Sequence, residues 1–233
     1  MENKRLDYLD NIRWITVVLV IIYHIIYLFN NSGVISNIGV KGIQIMDTFL
    51  IFVYPWFMCL LFIVSGISCN YSLRKRNNKE FIKDRAKRIL LPSVLGIFIY
   101  GWISGFITAQ YTDMFAGNGN NIPGFIKYFI YSLMGIGPLW FCHVLFIGSL
   151  LIVLIRKIDK KEKINNLCKK INLPILFILV LLVWGSSFIL NTPLITVYRF
   201  GIYLFMMLLG YYVFSNQELI KKLEKISIQL SLI

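Results

Sequence analysis

Residues 13–29 read RWITVVLVIIYHIIYLF. Behind Arg13 the run carries no formal charge, and a spanning helix needs about 20 predominantly apolar residues. A titratable group, His24, interrupts it; it is one of 2 histidines in the chain. An imidazole is expensive in hydrocarbon unless it faces a protein interior or a water-filled cavity. On a helix Arg13 lies three turns before His24, so the two side chains share one face, about 16 Å apart along the axis. That is about half the thickness of a bilayer core. A cation at the membrane surface and an imidazole near mid-membrane suit chemistry on an anionic reactant. The same placement fits a buried histidine bonded to a neighbouring helix, and spacing alone leaves both readings open. Asp10 lies roughly 40° from His24 on the helical wheel. It either shares that face or is a favourable acid in the first helical turn.

Working outward, 58% of the residues are hydrophobic and only 15% charged, with a mean hydropathy of +0.71. A soluble domain needs far less apolar surface. Further spans are expected, giving six in all near 12–30, 46–70, 89–109, 138–155, 173–190 and 196–214. The net charge of +13 would point to nucleic acid in a soluble protein. Here the cations fall in blocks between apolar segments. Linker 71–88 holds Arg74, Lys75, Arg76, Lys79, Lys83, Arg85, Lys87 and Arg88, and linker 156–172 is similarly basic. Lys4, Arg5, Lys221, Lys222 and Lys225 lie on the same side, whereas only Lys41 and Lys127 fall in loops on the other. This asymmetry predicts cytoplasmic termini and linkers. The expected fold is one all-α, polytopic bundle over 1–233, with no nucleic-acid partner.

Several classes are disfavoured. Asp7 and Asp10 interrupt the charged head and no small-residue cleavage pattern follows, so the first span does not read as a cleaved signal peptide. Cys59, Cys69, Cys142 and Cys168 lie in spans or on the cytoplasmic side, without metal-ligand spacing or a placement for an extracellular disulfide. No metal is expected. There is no Gly-rich phosphate loop and no serine nucleophile elbow. Residues 110–124 read as a turn-rich outer loop.

FIKDRAKRILLP, from Phe81 to Pro92, is the second informative stretch. Arg85 and Arg88 stand i,i+3 and on a regular helix share a face. Two guanidiniums there form a site for phosphates, or else serve topology and lipid headgroups. His143 follows Trp140 by one turn and needs a polar partner. Arg199, toward the outer side of the last span, either snorkels or faces a cavity as an anion or sugar contact. Trp140, Trp56 and Tyr54 suit interfacial belts or packing. Ser65 and Gly66 suit close helix packing.

In order, RLDYLDNIRW with His24, YPWFMCLLFIVSGISCNYSLRKR (54–76), FIKDRAKRILLP and GPLWFCHVLF (137–146) resemble the membrane-bound acyltransferase-3 family. Arg13 and His24 fit its basic-residue, ten-residue gap, histidine register, and Arg85 and Arg88 fill its Arg-x-x-Arg motif. The wording is similar to the glucan-succinyltransferase branch. The resemblance implies a multi-pass plasma-membrane O-acyltransferase. It would move an acetyl or succinyl group from cytoplasmic acyl-CoA to a hydroxyl of a cell-envelope or extracellular carbohydrate or glycolipid. His24 would be the base, with Arg13 and Asp10 in the catalytic set. Arg85 and Arg88 would hold the donor, and His143, Arg199 and Trp140 would contact the acceptor. Family members have about ten spans; six are expected here, and EKISIQLSLI (224–233) reads as the start of a seventh. A truncated, inactive homologue is one alternative. A glycoconjugate transporter or flippase-like subunit is another, but paired mid-membrane charges and broken helices in matching halves, which such a protein would show, are missing.

Overall fold

Long apolar runs must bond their own backbone in hydrocarbon, and the helix is the form that does so within one segment. A computed structural model describes residues 7–31, 41–111, 115, 121–190 and 198–231, together with their side chains except at 7, 173 and 227–231. Among these residues there is no strand. The helices are α1 Asp7–Tyr27, α2 Gln44–Leu73, α3 Asn78–Tyr111, α4 Gly124–Met134, α5 Trp140–Ile158, α6 Lys163–Lys169, α7 Leu173–Ser186, α8 Phe200–Tyr212 and α9 Gln217–Ser231. Four helical stretches, α1, α2, α3 and Gly137–Ile158, are long and apolar enough to cross a membrane, while Pro174–Ser186 and Phe200–Tyr212 are shorter apolar helices. The fold is an all-α membrane helical bundle. Most of the 110–124 stretch lies outside the described residues, as do Lys4, Arg5 and the start of the last expected span.

The chain divides into two compact units. The first holds the described residues of 7–58 and 90–143. Asn30 is fully buried and its side-chain amide donates to the Tyr27 carbonyl at 2.7 Å, which closes the C-terminus of α1. The chain then returns on itself: Ile43 N–H donates to Phe29 O at 3.1 Å, and Asn31 N–H to the Asp47 carboxylate at 3.1 Å. Tyr23 stacks on Tyr54 and lies against Phe57, at ring separations of 6.1 and 5.0 Å, which fixes α1 on α2. The other face of α1 leaves Trp14, Ile15, Val18, Ile22 and Ile25 exposed. That is the surface of a helix whose solvent is lipid.

Lys127, read from the sequence as a loop residue, lies in α4. A Cβ on Gly105 would overlap the Tyr131 carbonyl, and one on Gly135 the Gly101 carbonyl. The helix forms where two backbones can touch, and its 11 residues are too few to span a membrane.

The second unit holds residues 59–89, 144–190 and 198–231. Its axis is the crossing of α2 with α8. A Cβ on Gly66 would overlap the Met207 carbonyl, and one on Gly210 the Ile63 carbonyl. Small residues allow this approach in membrane bundles, where dispersion and packing replace the hydrophobic effect. Phe62 stacks on Tyr203 at 4.8 Å beside the crossing, and the fully buried Met207 fills the space opposite Gly148. Leu209, Val213 and Leu219 form a smaller core with Leu176, Leu179 and Leu223. This uses the apolar side of α9 within the protein.

Helix α3 is not uniform. It begins with an Asn77–Glu80 capping box, in which the Glu80 N–H donates to the Asn77 side chain at 2.8 Å. Its turns widen to π-helix over Ala86–Leu90 and again over Ile97–Gly101. Pro92 has no N–H to offer the carbonyl four residues back, and its ring crowds that carbonyl. The first widened turn lies just ahead of it.

Candidate active site

The α1 residues are placed by the helix itself. His24 sits in the last turn, nearer the helix end than its middle. Its Nδ1 lies 2.7 Å from the Val20 carbonyl oxygen, four residues back. A carbonyl can only accept, so Nδ1 carries the proton in that bond, and in the neutral ring the lone pair sits on Nε2. The ring is half-buried and packs edge-on to Tyr23 at 5.6 Å. Tyr23 also stacks on Tyr27 at 6.0 Å. Nothing in the apolar spacing marked Tyr23 as the residue that joins His24 to α2; a tyrosine beside the histidine was the one signal.

Asp10 and Arg13 come together. The Arg13 guanidinium donates to the Asp10 carboxylate at 3.0 Å, and both side chains are nearly half exposed. This pairing ties Asp10 to Arg13, at the opposite end of α1 from His24. Pairs this exposed are worth about 0–1 kcal/mol. The pair therefore adds little to the stability of α1.

Arg85 and Arg88 take different surroundings. Arg85 is half-buried; its Nη2 donates to the Sγ of fully buried Cys69 at 3.6 Å, and its guanidinium lies 5.1 Å over the Phe81 ring. Arg88 is exposed and pairs with Asp84 at 2.7 Å, while Arg76 takes the other oxygen of Asp84 at 3.0 Å. Three residues apart on a regular helix they would flank one stripe. Here the helix widens between them.

His143 and Trp140 lie in the first turn of α5, behind the tight turn Gly137–Leu139, both half-buried; the Trp140 ring meets Phe141 edge-on at 6.4 Å. Arg199, half-buried, occupies the N-cap position just ahead of α8 rather than a place inside it. Sequence reasoning overlooked Arg74 and Arg156, which it read as topology charges. Arg156 donates to the Leu73 carbonyl at 2.9 Å and so closes the end of α2.

Compared with known proteins, the chain matches the acyltransferase-3 family model, an acyltransferase domain, over residues 6–233. No curated protein and no solved structure matches it. A match that runs from the first turn of α1 through α9 takes in every helix described above. The chain belongs to the acyltransferase-3 family, and its helical membrane bundle is that of an O-acyltransferase.

Proposed function

We propose that the protein transfers an acetyl or succinyl group from cytoplasmic acyl-CoA to a hydroxyl of a cell-envelope or extracellular carbohydrate, working in the plasma membrane. The observation that carries this reading is the His24 ring, held by its own helix through Nδ1 with Nε2 left as the basic nitrogen. A sugar hydroxyl is a poor nucleophile until a base takes its proton in the transition state. In the proposed step Nε2 accepts that proton as the oxygen attacks the thioester carbonyl. The tetrahedral intermediate collapses, the carbon–sulfur bond breaks, and the imidazolium returns a proton to the departing CoA thiolate. The ester and free CoA leave, and His24 is neutral again.

Arg13 cannot touch the same atoms as His24, because eleven residues of helix separate them by about 16 Å. A long thioester arm would span that distance, so Arg13 suits the donor's phosphate-bearing part. Arg85 and Arg88 suit those phosphates at the membrane surface. Trp140, His143 and Arg199 are the acceptor contacts in this scheme. The basic linkers support a cytoplasmic donor side through the positive-inside rule.

The reading is tested with sealed inverted vesicles carrying the protein, given acyl-CoA labelled in the acyl group. Label is expected on carbohydrate in the vesicle lumen. Translocation of unmodified glycoconjugate without label transfer would overturn it in favour of transport.

A further inference from the structure

The second unit contains a cavity that the scheme above does not use. It lies where α2, α5 and α8 end and α9 begins, and its volume is about 560 Å³. Small-molecule sites usually fall in the range of about 300–1,000 Å³. Resting on the acyl-CoA reading, we infer that this cavity seats the nucleotide end of the acyl donor.

Three cations, Arg74, Arg156 and Lys169, face three acids, Asp159, Glu162 and Glu218. The formal charges cancel, but two of the three acids are already engaged within the protein. Asp159 caps α6, accepting the Lys163 and Ile164 N–H groups at 2.8 Å each, and Glu162 accepts from Asn165 at 3.2 Å. Each guanidinium spends only part of its five donors within the protein: Arg74 Nε on Asn70 at 2.9 Å, Arg156 Nη1 on Leu73 at 2.9 Å with a further bond to the Tyr211 side chain. The remaining donors suit phosphate oxygens.

The frame is braced before any ligand arrives. The Arg74 guanidinium lies 4.9 Å over the Tyr71 ring, whose hydroxyl oxygen accepts from Gln217 at 2.6 Å, and Asn70 donates to the Tyr211 carbonyl at 2.9 Å. The side-chain amides of Asn165, Asn216 and Gln217 both donate and accept, as the edge of a nucleobase requires. Tyr211 and Tyr212, ring to ring at 4.7 Å, add apolar surface. A lipid headgroup matches the cations alone; a nucleoside phosphate matches cations, amides and rings together.

The test measures equilibrium binding of CoA, and of acyl-pantetheine, which lacks the nucleotide, to the full chain in lipid nanodiscs. The double variant Arg74→Gln/Lys169→Gln avoids Arg156, which closes a helix. It is expected to lose about tenfold or more in CoA affinity while binding acyl-pantetheine like the parent. Lys169→Arg, which keeps the cation, should retain CoA binding. CoA affinity within about twofold of the parent in the double variant would overturn the inference. So would equal loss of both ligands. If the double variant binds CoA normally yet retains less anionic lipid, the cavity is a headgroup site and the inference also falls. A parent that binds no CoA at all would instead overturn the donor reading beneath it.

Discussion

His24 and the Arg85–Arg88 pair show two ways in which a membrane helix orients a polar side chain. His24 stands on a regular α-helix and is oriented by a carbonyl of its own preceding turn, at 2.7 Å. Arg85 and Arg88 stand where a helix widens, and they are oriented by side chains: Cys69 and Phe81 for one, Asp84 for the other. Spacing in the sequence carries over to geometry in the first case. In the second, spacing gives the neighbourhood but not the direction, because the helix widens between the two and Arg85 leans on Cys69, 16 positions back, while Arg88 turns to Asp84 one turn away.

The contrast can be broken most forcefully at the α2–α8 crossing. Gly66→Val would drive a side chain into the Met207 carbonyl of the facing helix. Backbone cannot yield as a side chain does, so a loss of at least about 3 kcal/mol, or failure to fold, is expected. Thermal unfolding in detergent measures it. Because Arg85 leans on Cys69 of the same helix, its setting should collapse with the crossing. A Gly66→Val protein as stable as the parent would mean that the crossing does not organise this unit.

A smaller change separates the two arginines. Arg85→Gln removes a half-buried guanidinium from Cys69 and Phe81 and is expected to cost about 1–2 kcal/mol of stability. Arg88→Gln removes an exposed ion pair and should cost less than about 1 kcal/mol. Both should raise the donor KM, Arg88→Gln without the loss of stability. Equal stability losses would show that the two residues share one environment after all.

Much of the bundle was legible because the bilayer imposes a simple rule on length and hydropathy. The runs that became α1, α2, α3 and α5 announce themselves that way, and Gly66 reads as a packing residue. Helix α4 did not, because its 11 residues form neither a span nor a strongly biased segment, and its support comes from glycines some 30 positions away on α3. The start of α3 carried an unread signal in Asn77-x-x-Glu80, a capping box. At the candidate site, Arg13 and His24 stood out through their spacing together with the family resemblance, and Asp10 through its place on the helical wheel near His24; the structure pairs Asp10 with Arg13 instead. The position of His24 in the last turn was not visible, because the helix ends where buried Asn30 closes it. The cavity was hidden for a similar reason. Asn70, Arg156 and Gln217 meet only after three helices have packed.

The central claim is that His24 works through Nε2 while Nδ1 only holds the ring. The most direct measurement compares single-turnover acyl transfer by the parent and by His24→Asn in nanodiscs, with thermal unfolding as the control. An asparagine amide can take over the Nδ1–H bond to the Val20 carbonyl but offers no basic nitrogen. Stability is expected to be unchanged and the rate lower by about 10²–10⁴, the usual contribution of a positioned general base. A His24→Asn protein that transfers the acyl group within about tenfold of the parent rate would contradict the claim.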